Sequence, residues 1–267
     1  MLSLAERRNK IRIVGLLAVC LFACLVSIAW PGNASSNETS RSIRYCYNDW
    51  PPFSYTALGE AAGISIDVLR KATIEAGYDP EFSELPWKRC LYLVEAGMMD
   101  AVIDALPRQQ FIHGKTSFTI YTNTFWVRDR QIERRLQNGD FKQVRLGLVS
   151  GYEYGEVLEV HFNDAEFQPD FSVDEVDNIR KLALGRVDAI IGDFTSTRVI
   201  AQDNNLNVVP VLPHHSFDRL YPNFNTRLSA QMNAVDRQLE ILVENGFVDA
   251  AYREHLGIGV GDVIPNS

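Results

Sequence analysis

Metal-binding spacing is missing from this chain. It contains no CxxC and no HxxxH pair, so neither a zinc site nor a dithiol redox motif is written into it. No Ser, His and Asp fall in an order that supports hydrolysis, and nothing points to a cofactor. Positive charge is scarce: Lys and Arg total 26 against 34 Asp and Glu, a formal net charge of −8. There is no basic stripe with interleaved aromatics, and an acidic chain is a poor partner for nucleic acid or an anionic membrane surface. Signs of disorder are confined to a short polar, Ser/Asn-rich stretch at residues 32–41 that lacks apolar periodicity.

Cysteine is also sparse, with four in all. Cys20 and Cys24 lie in an apolar run. Lipidation fits neither, because Val19 is bulky before Cys20 and apolar residues follow Cys24. Cys46 and Cys90 remain. Both a bridge and two buried free thiols fit them, and no neighbouring His marks either as a nucleophile.

What is present begins with the N-terminus. Arg7, Arg8, Lys10 and Arg12 precede an uncharged apolar run at residues 13–30, and Gly32-Asn33-Ala34 supplies small residues after it. This is the pattern of a secretory signal over residues 1–34. The run is also long enough for a retained anchor, which stays open as the alternative. Without residues 1–34 the formal charge is −11.

The chain then says one phrase twice. Gly97-Met98-Met99-Asp100-Ala101-Val102-Ile103-Asp104 is echoed by Gly185-Arg186-Val187-Asp188-Ala189-Ile190-Ile191-Gly192-Asp193. Each copy follows an amphipathic stretch. Each places Gly where a helix should end and then a β-branched run suited to a buried parallel strand. Strands are expected at residues 42–47, 79–84, 101–105, 118–127, 144–149, 167–171, 188–191 and 208–212, with an extended return at 220–225. Helices are expected at 64–76, 87–96, 156–162, 174–184, 196–202, 228–244 and 248–256. Residues 132–141 read as a polar connection. This alternation predicts an α/β fold of mostly parallel sheets in two lobes. The lobes are expected at residues 42–126 with 219–267, and at 127–218. The chain crosses between them near 124–128 and 213–225, a natural hinge.

The ordered series resembles a known family. It runs Trp50-Pro51-Pro52-Phe53, Asp67, Pro86-Trp87-Lys88-Arg89, Asp100-Ala101, Phe118 and Tyr121, Gly147, Gly151-Tyr152, then Gly185 to Asp193. Over roughly residues 42–257 it is similar to the periplasmic solute-binding proteins of the polar amino-acid ABC-transporter type, extracellular solute-binding family 3. The resemblance implies a periplasmic-binding-protein-like (type II) fold with two hinge crossings and a ligand held between the lobes. It implies Trp50 against the ligand, with packing of the strand end as the competing role. It implies Asp193 as the carboxylate for the ligand's amino group, with a helix N-cap as the competing role. Gly151, Tyr152 and Glu153 precede an expected helix whose free N–H groups suit a carboxylate, or they form a plain turn. Tyr55 is a further candidate. The first lobe departs from the family pattern. Ile112 stands where the family carries its carboxylate-gripping Arg, and Asp104, Ala105 and Pro107 stand at the hydroxyl positions. Arg108 is the nearest substitute, and Asp104 could receive a cationic group instead.

The expected protein is a non-enzymatic, periplasmic, monomeric binder of a small, polar, amino-acid-like solute. It would serve an ABC transporter permease or a membrane receptor. Two rivals stay open. One is a cyclohexadienyl-dehydratase-like enzyme using Glu153, Asp104 or Asp193 as acid or base. The other is a membrane-anchored sensor module. His113, His214 and His215 are expected at the surface, Phe53 in the core, and Trp87 in lobe packing or at the cleft rim.

Overall fold

A computed structural model describes residues 42–154 and 167–263. The expected signal at residues 1–34 and the expected helix at 156–162 lie outside the described residues. Among the described residues no helix is long and apolar enough to cross a membrane.

The first strand, β1 (Ser42–Tyr47), sits between β4 (Asp79–Glu84) and β5 (Ala101–Ala105), parallel to both. Helices α1 (Ile64–Glu75) and α2 (Trp87–Glu95) make the crossovers. α1 buries Ile64, Ile66, Val68, Leu69 and Ala72. α2 follows Pro86, whose missing N–H costs nothing at a helix start. It buries Trp87, Cys90 and Val94. A short hairpin of β2 (Tyr55–Ala57) and β3 (Glu60–Ala62) intervenes before α1.

The second half repeats the plan. β8 (Arg145–Val149) sits between β9 (Gln168–Ser172) and β10 (Ala189–Asp193), parallel to both. α4 (Glu175–Ala183) joins β9 to β10, and α5 (Phe194–Asp203) follows β10. The residues expected as a polar connection contain α3 (Arg130–Gln137), capped by Asp129 and anchored by buried Leu136.

Two strands join the halves. β7 (Thr119–Val127) and β11 (Val209–Asn225) pair antiparallel, β7 reaching β10 and β11 reaching β5 and the short β6 (Phe111–His113). The two extended segments expected at 208–212 and 220–225 are therefore one strand, with a register shift between Val211 and Ser216. Hydrophobic packing changes partner along these strands. Phe118, Tyr121, Leu220 and Phe224 belong to the first core, whereas Phe125, Val127 and Val211 belong to the second. α6 (Ser229–Glu244) and α7 (Phe247–Leu256) return to the first core through Val235, Leu239, Leu242, Val248 and Tyr252.

The repeated glycines end α2 and α4 as expected, Gly97 with φ 72° and Gly185 with φ 71°. A Cβ on either would collide with a guanidinium, that of Arg227 or that of Arg128. Cys46 and Cys90 form a disulfide between β1 and α2, so the two-thiol alternative falls away.

Candidate functional site

Parallel strands leave their carboxyl ends free for ligand loops. Here the loops after β1, β5 and β8 meet, with the start of α2 and the first part of β7 around Tyr121, at a cavity of about 40 Å³. Asn48 and Trp50 come from the first loop, Asp104 from the end of β5 with Leu106 and Arg108 from the loop after it, and Tyr152 and Glu153 from the third. Trp87, Tyr121 and Leu220 complete the wall.

Of the eight residues singled out from the sequence, Trp50, Asp104, Arg108, Tyr152 and Glu153 line this cavity. Gly151 adjoins it, its carbonyl accepting hydrogen bonds from Trp87 Nε1 (3.1 Å) and Arg108 Nη2 (3.2 Å). Tyr55 does not line it. That side chain belongs to the β2–β3 hairpin.

Trp50 is 3% exposed and stacks on Phe53, centroids 4.3 Å apart, with Tyr121 tilted at 5.9 Å. It therefore both packs the strand end and forms a wall. Its Nε1 has no well-formed hydrogen bond among the described residues, and the indole faces Glu175. Arg108 pairs its Nη1 with Glu153 Oε1 at 3.1 Å, and its Nε is buried without a partner. Asp104 sits at φ 52°, a left-handed backbone that Asp tolerates better than most residues. Its Oδ2 is shut off from solvent and unpartnered, and burial pushes the carboxyl up to about 6 against the Ser65 and Thr119 hydroxyls, which pull it down. The Tyr121 hydroxyl is likewise buried and unpartnered.

Asp193 is placed otherwise than the resemblance implied. It is 1% exposed and is not among the cavity residues. Its Oδ1 accepts the Ser196 N–H and its Oδ2 the Thr122 N–H, both at 2.8 Å. The side chain caps α5 and pins β7, which is the competing role read from the sequence. Burial raises its carboxyl to about 6. Beside it lies Glu175, which sequence reasoning missed. Glu175 Oε1 accepts the Asp193 N–H at 2.9 Å. Burial first, then the neighbouring Asp193 charge, pushes Glu175 up to about 8. The Ser196 hydroxyl and Trp50 indole face Glu175 and oppose that rise, short of well-formed hydrogen bonds.

Also missed were Asn48 and Tyr121 as wall residues. Asn48 follows a strand end directly and Tyr121 recurs in the family series, which were the available signals. Of the histidines, His113 is half-buried in β6 against Tyr221 rather than at the surface, its Nδ1 2.7 Å from the Gly114 carbonyl. Among the described residues no cluster of His, Cys, Asp or Glu could hold a metal.

Residues 43–131 match the family model of bacterial extracellular solute-binding proteins, family 3. No curated protein matches the chain. Among solved structures it is similar to an ancestral arginine-binding protein bound to arginine. The identity is 18% and the TM-score 0.70, with 81% of this chain and 98% of that one covered. It is also similar to an amino acid ABC transporter substrate-binding protein from Streptococcus pneumoniae bound to L-arginine, at 18% identity and TM-score 0.70, covering 81% and 95%. A histidine kinase sensor domain with similarity to periplasmic binding proteins matches at 20% identity and TM-score 0.70, covering 82% and 97%. The family resemblance read from the sequence is borne out over residues 43–131, and the periplasmic-binding-protein fold expected from it is borne out by the solved structures.

Proposed function

We propose that the protein binds a small zwitterionic, amino-acid-like solute between its two halves, outside the cytoplasm, and presents it to a membrane transporter. The observation that carries this is the pairing of Arg108 and Asp104 on one cavity whose other walls are largely aromatic. The guanidinium suits a carboxylate. The buried carboxyl suits an ammonium, whose charge would offset the burial that raises Asp104 and hold it ionised. Asp104 thus takes the role first assigned to Asp193, whose oxygens already hold backbone N–H groups.

The lobes of this reading are residues 42–126 with 219–267, and 127–218. β7 and β11 serve as the hinge, and the register shift in β11 gives it a place to bend. Ligand contacts to both lobes would favour the closed form. The protein acts as a monomeric binder rather than an enzyme, and residues 1–34 direct it to the periplasm. A permease of the ABC kind, or a membrane receptor, is the partner.

A thermal-shift screen of the full chain against the standard amino acids tests the reading. A genuine ligand at a hundred times its Kd adds about 2.7 kcal/mol of stability. A screen in which no amino acid moves the midpoint, repeated with the same result by calorimetry, would sink it.

A further inference from the structure

The cleft is closed by the protein's own chain. Gly151 gives its carbonyl to Trp87 and Arg108. Tyr152 meets Trp87 edge-to-face at 5.6 Å and Tyr121 at 6.3 Å, and its hydroxyl accepts the Asn48 side-chain N–H at 2.7 Å. Glu153 holds Arg108 by its carboxylate. The space left is about 40 Å³. Ordinary small-molecule pockets run to roughly 300–1,000 Å³. A solute that docks on this wall in place of residues 151–153 would take over their contacts.

We propose that residues 151–153 are a tethered competitor for the ligand, and that the ligand is an aromatic carboxylate whose ring and carboxylate displace those of Tyr152 and Glu153. This rests on the reading that the cleft binds a solute. The wall that residues 151–153 occupy offers one cation and three aromatic faces, those of Trp50, Trp87 and Tyr121. An aliphatic amino acid would answer the cation and leave the rings uncovered once Tyr152 withdraws. An aromatic one answers both, because rings prefer the edge-to-face and offset contacts that Tyr152 now makes. Two polar atoms are left over for a ligand that brings more than Glu153 does: Arg108 Nε and Asp104 Oδ2 are buried and unpartnered. They suit the second carboxylate oxygen and an amino group.

A tethered competitor lowers apparent affinity by the fraction of molecules it keeps occupied. Removing its charge should therefore tighten binding, the reverse of what loss of a ligand contact does. The full chain and its Glu153→Gln variant would be titrated calorimetrically with L-phenylalanine, L-tyrosine, 4-hydroxyphenylacetate and L-glutamate. Glu153 is half-exposed on its side chain, so the variant keeps the fold. The expected result is binding of the aromatic carboxylates about two- to fivefold tighter in Glu153→Gln, the range of one partly exposed ion pair. L-glutamate should bind at least about tenfold more weakly than L-phenylalanine to both forms. Tyr152→Leu should shift affinity in the same direction as Glu153→Gln. Unchanged or weaker binding in Glu153→Gln overturns the proposal. So does L-glutamate binding as tightly as the aromatic solutes, which would leave the solute-binding reading intact. Failure of every amino acid to bind either form overturns both.

Discussion

Arg44 and Asp100 meet at three points. The Arg44 backbone N–H and Nε donate to Asp100 Oδ2 at 3.0 and 2.9 Å, and Nη2 donates to Oδ1 at 3.0 Å. Arg145 and Asp188 repeat the contact in the second half at 2.9, 3.1 and 2.6 Å. Each Asp opens the strand of one copy of the repeated phrase, and each Arg stands in the central parallel strand of its half. The phrase is thus a fastening, tying the start of one strand to its neighbour.

The two fastenings should differ in worth. Asp100 also accepts Arg227 Nη2 at 3.0 Å, and its side chain is 10% exposed against 26% for Asp188. Asp100→Ala should cost about 2–3 kcal/mol, the range for charged hydrogen bonds to a largely buried carboxylate. Asp188→Ala should cost about 1–2 kcal/mol. Burial alone would raise the Asp100 carboxyl, but the Arg44 bonds outweigh it and hold it below the usual range; the Arg145 bonds do the same for Asp188. Both contributions are therefore complete above the unfolded carboxylate pKa and fade as pH falls through the lower folded values. Urea melts at pH 7 and pH 3 check this: the gap between wild type and Asp100→Ala should narrow at pH 3.

Glu175 predicts the opposite slope. Its folded pKa of about 8 lies above the unfolded value, so the folded state holds its proton more tightly. Stability tied to this group is present below the unfolded pKa and is lost as pH rises toward 8. Glu175→Gln keeps an acceptor for the Asp193 N–H and removes the buried charge. Its melting temperature should match or exceed that of wild type at pH 8, with the advantage shrinking at pH 5. A variant less stable at pH 8 than at pH 5, relative to wild type, would contradict this.

Asp104 links pH to binding. With a free-form pKa of about 6, it must lose its proton to receive an ammonium. Affinity for an amino acid should fall as pH drops below 6, approaching tenfold per unit. Asp104→Asn should bind more weakly at pH 7.5 and show no such dependence. Calorimetric titration from pH 5 to pH 8 separates the cases.

Much of this frame could be read in the residues. Ile64 to Ala72 and Val235 to Leu242 carry apolar residues at helical spacing, and the β-branched runs after Asp100 and Asp188 are buried strands. α3 was hidden because its sequence is mostly charged, with Ile132 and Leu136 as its only apolar anchors. Asp129 at its start was the signal, since an acidic residue ahead of Arg130 to Glu133 is a cap. The β2–β3 hairpin was hidden by its brevity. Leu58 and Gly59 turn it with φ 53° and 85°, and a leucine gives no warning of a left-handed turn. The site was legible in part. Strand ends flagged Trp50, Asp104 and Tyr152, but spacing could not tell whether Asp193 faces a ligand or caps α5. The Thr122 and Ser196 N–H groups that its oxygens accept, one of them distant in sequence, could not be read from that spacing.

The disulfide supplies another test. Cys46 and Cys90 are both fully buried and 44 residues apart, and α2, which carries Cys90, also carries Trp87 into the cavity. Closing a loop of that size restricts the unfolded chain by about 4 kcal/mol. For a chain of this length that corresponds to roughly 8–16 °C in melting temperature. The Cys46→Ala/Cys90→Ala pair should melt lower by that order, and adding reductant to it should change nothing further.

The tryptophans report on the cavity separately. Trp50 and Trp87 line it, whereas Trp126 packs in another cluster against Phe194, 5.8 Å between centroids. A ligand that displaces Tyr152 alters the surroundings of Trp87, which Tyr152 now touches edge-to-face, and of Trp50 across Tyr121. Fluorescence should therefore shift on titration in wild type and in Trp126→Phe. The shift should shrink in Trp87→Phe and in Trp50→Phe, with Trp87→Phe losing more because Tyr152 lies directly against it. A full signal surviving in Trp50→Phe and Trp87→Phe, but lost in Trp126→Phe, would move the ligand out of this cleft and onto the outer face of the second half.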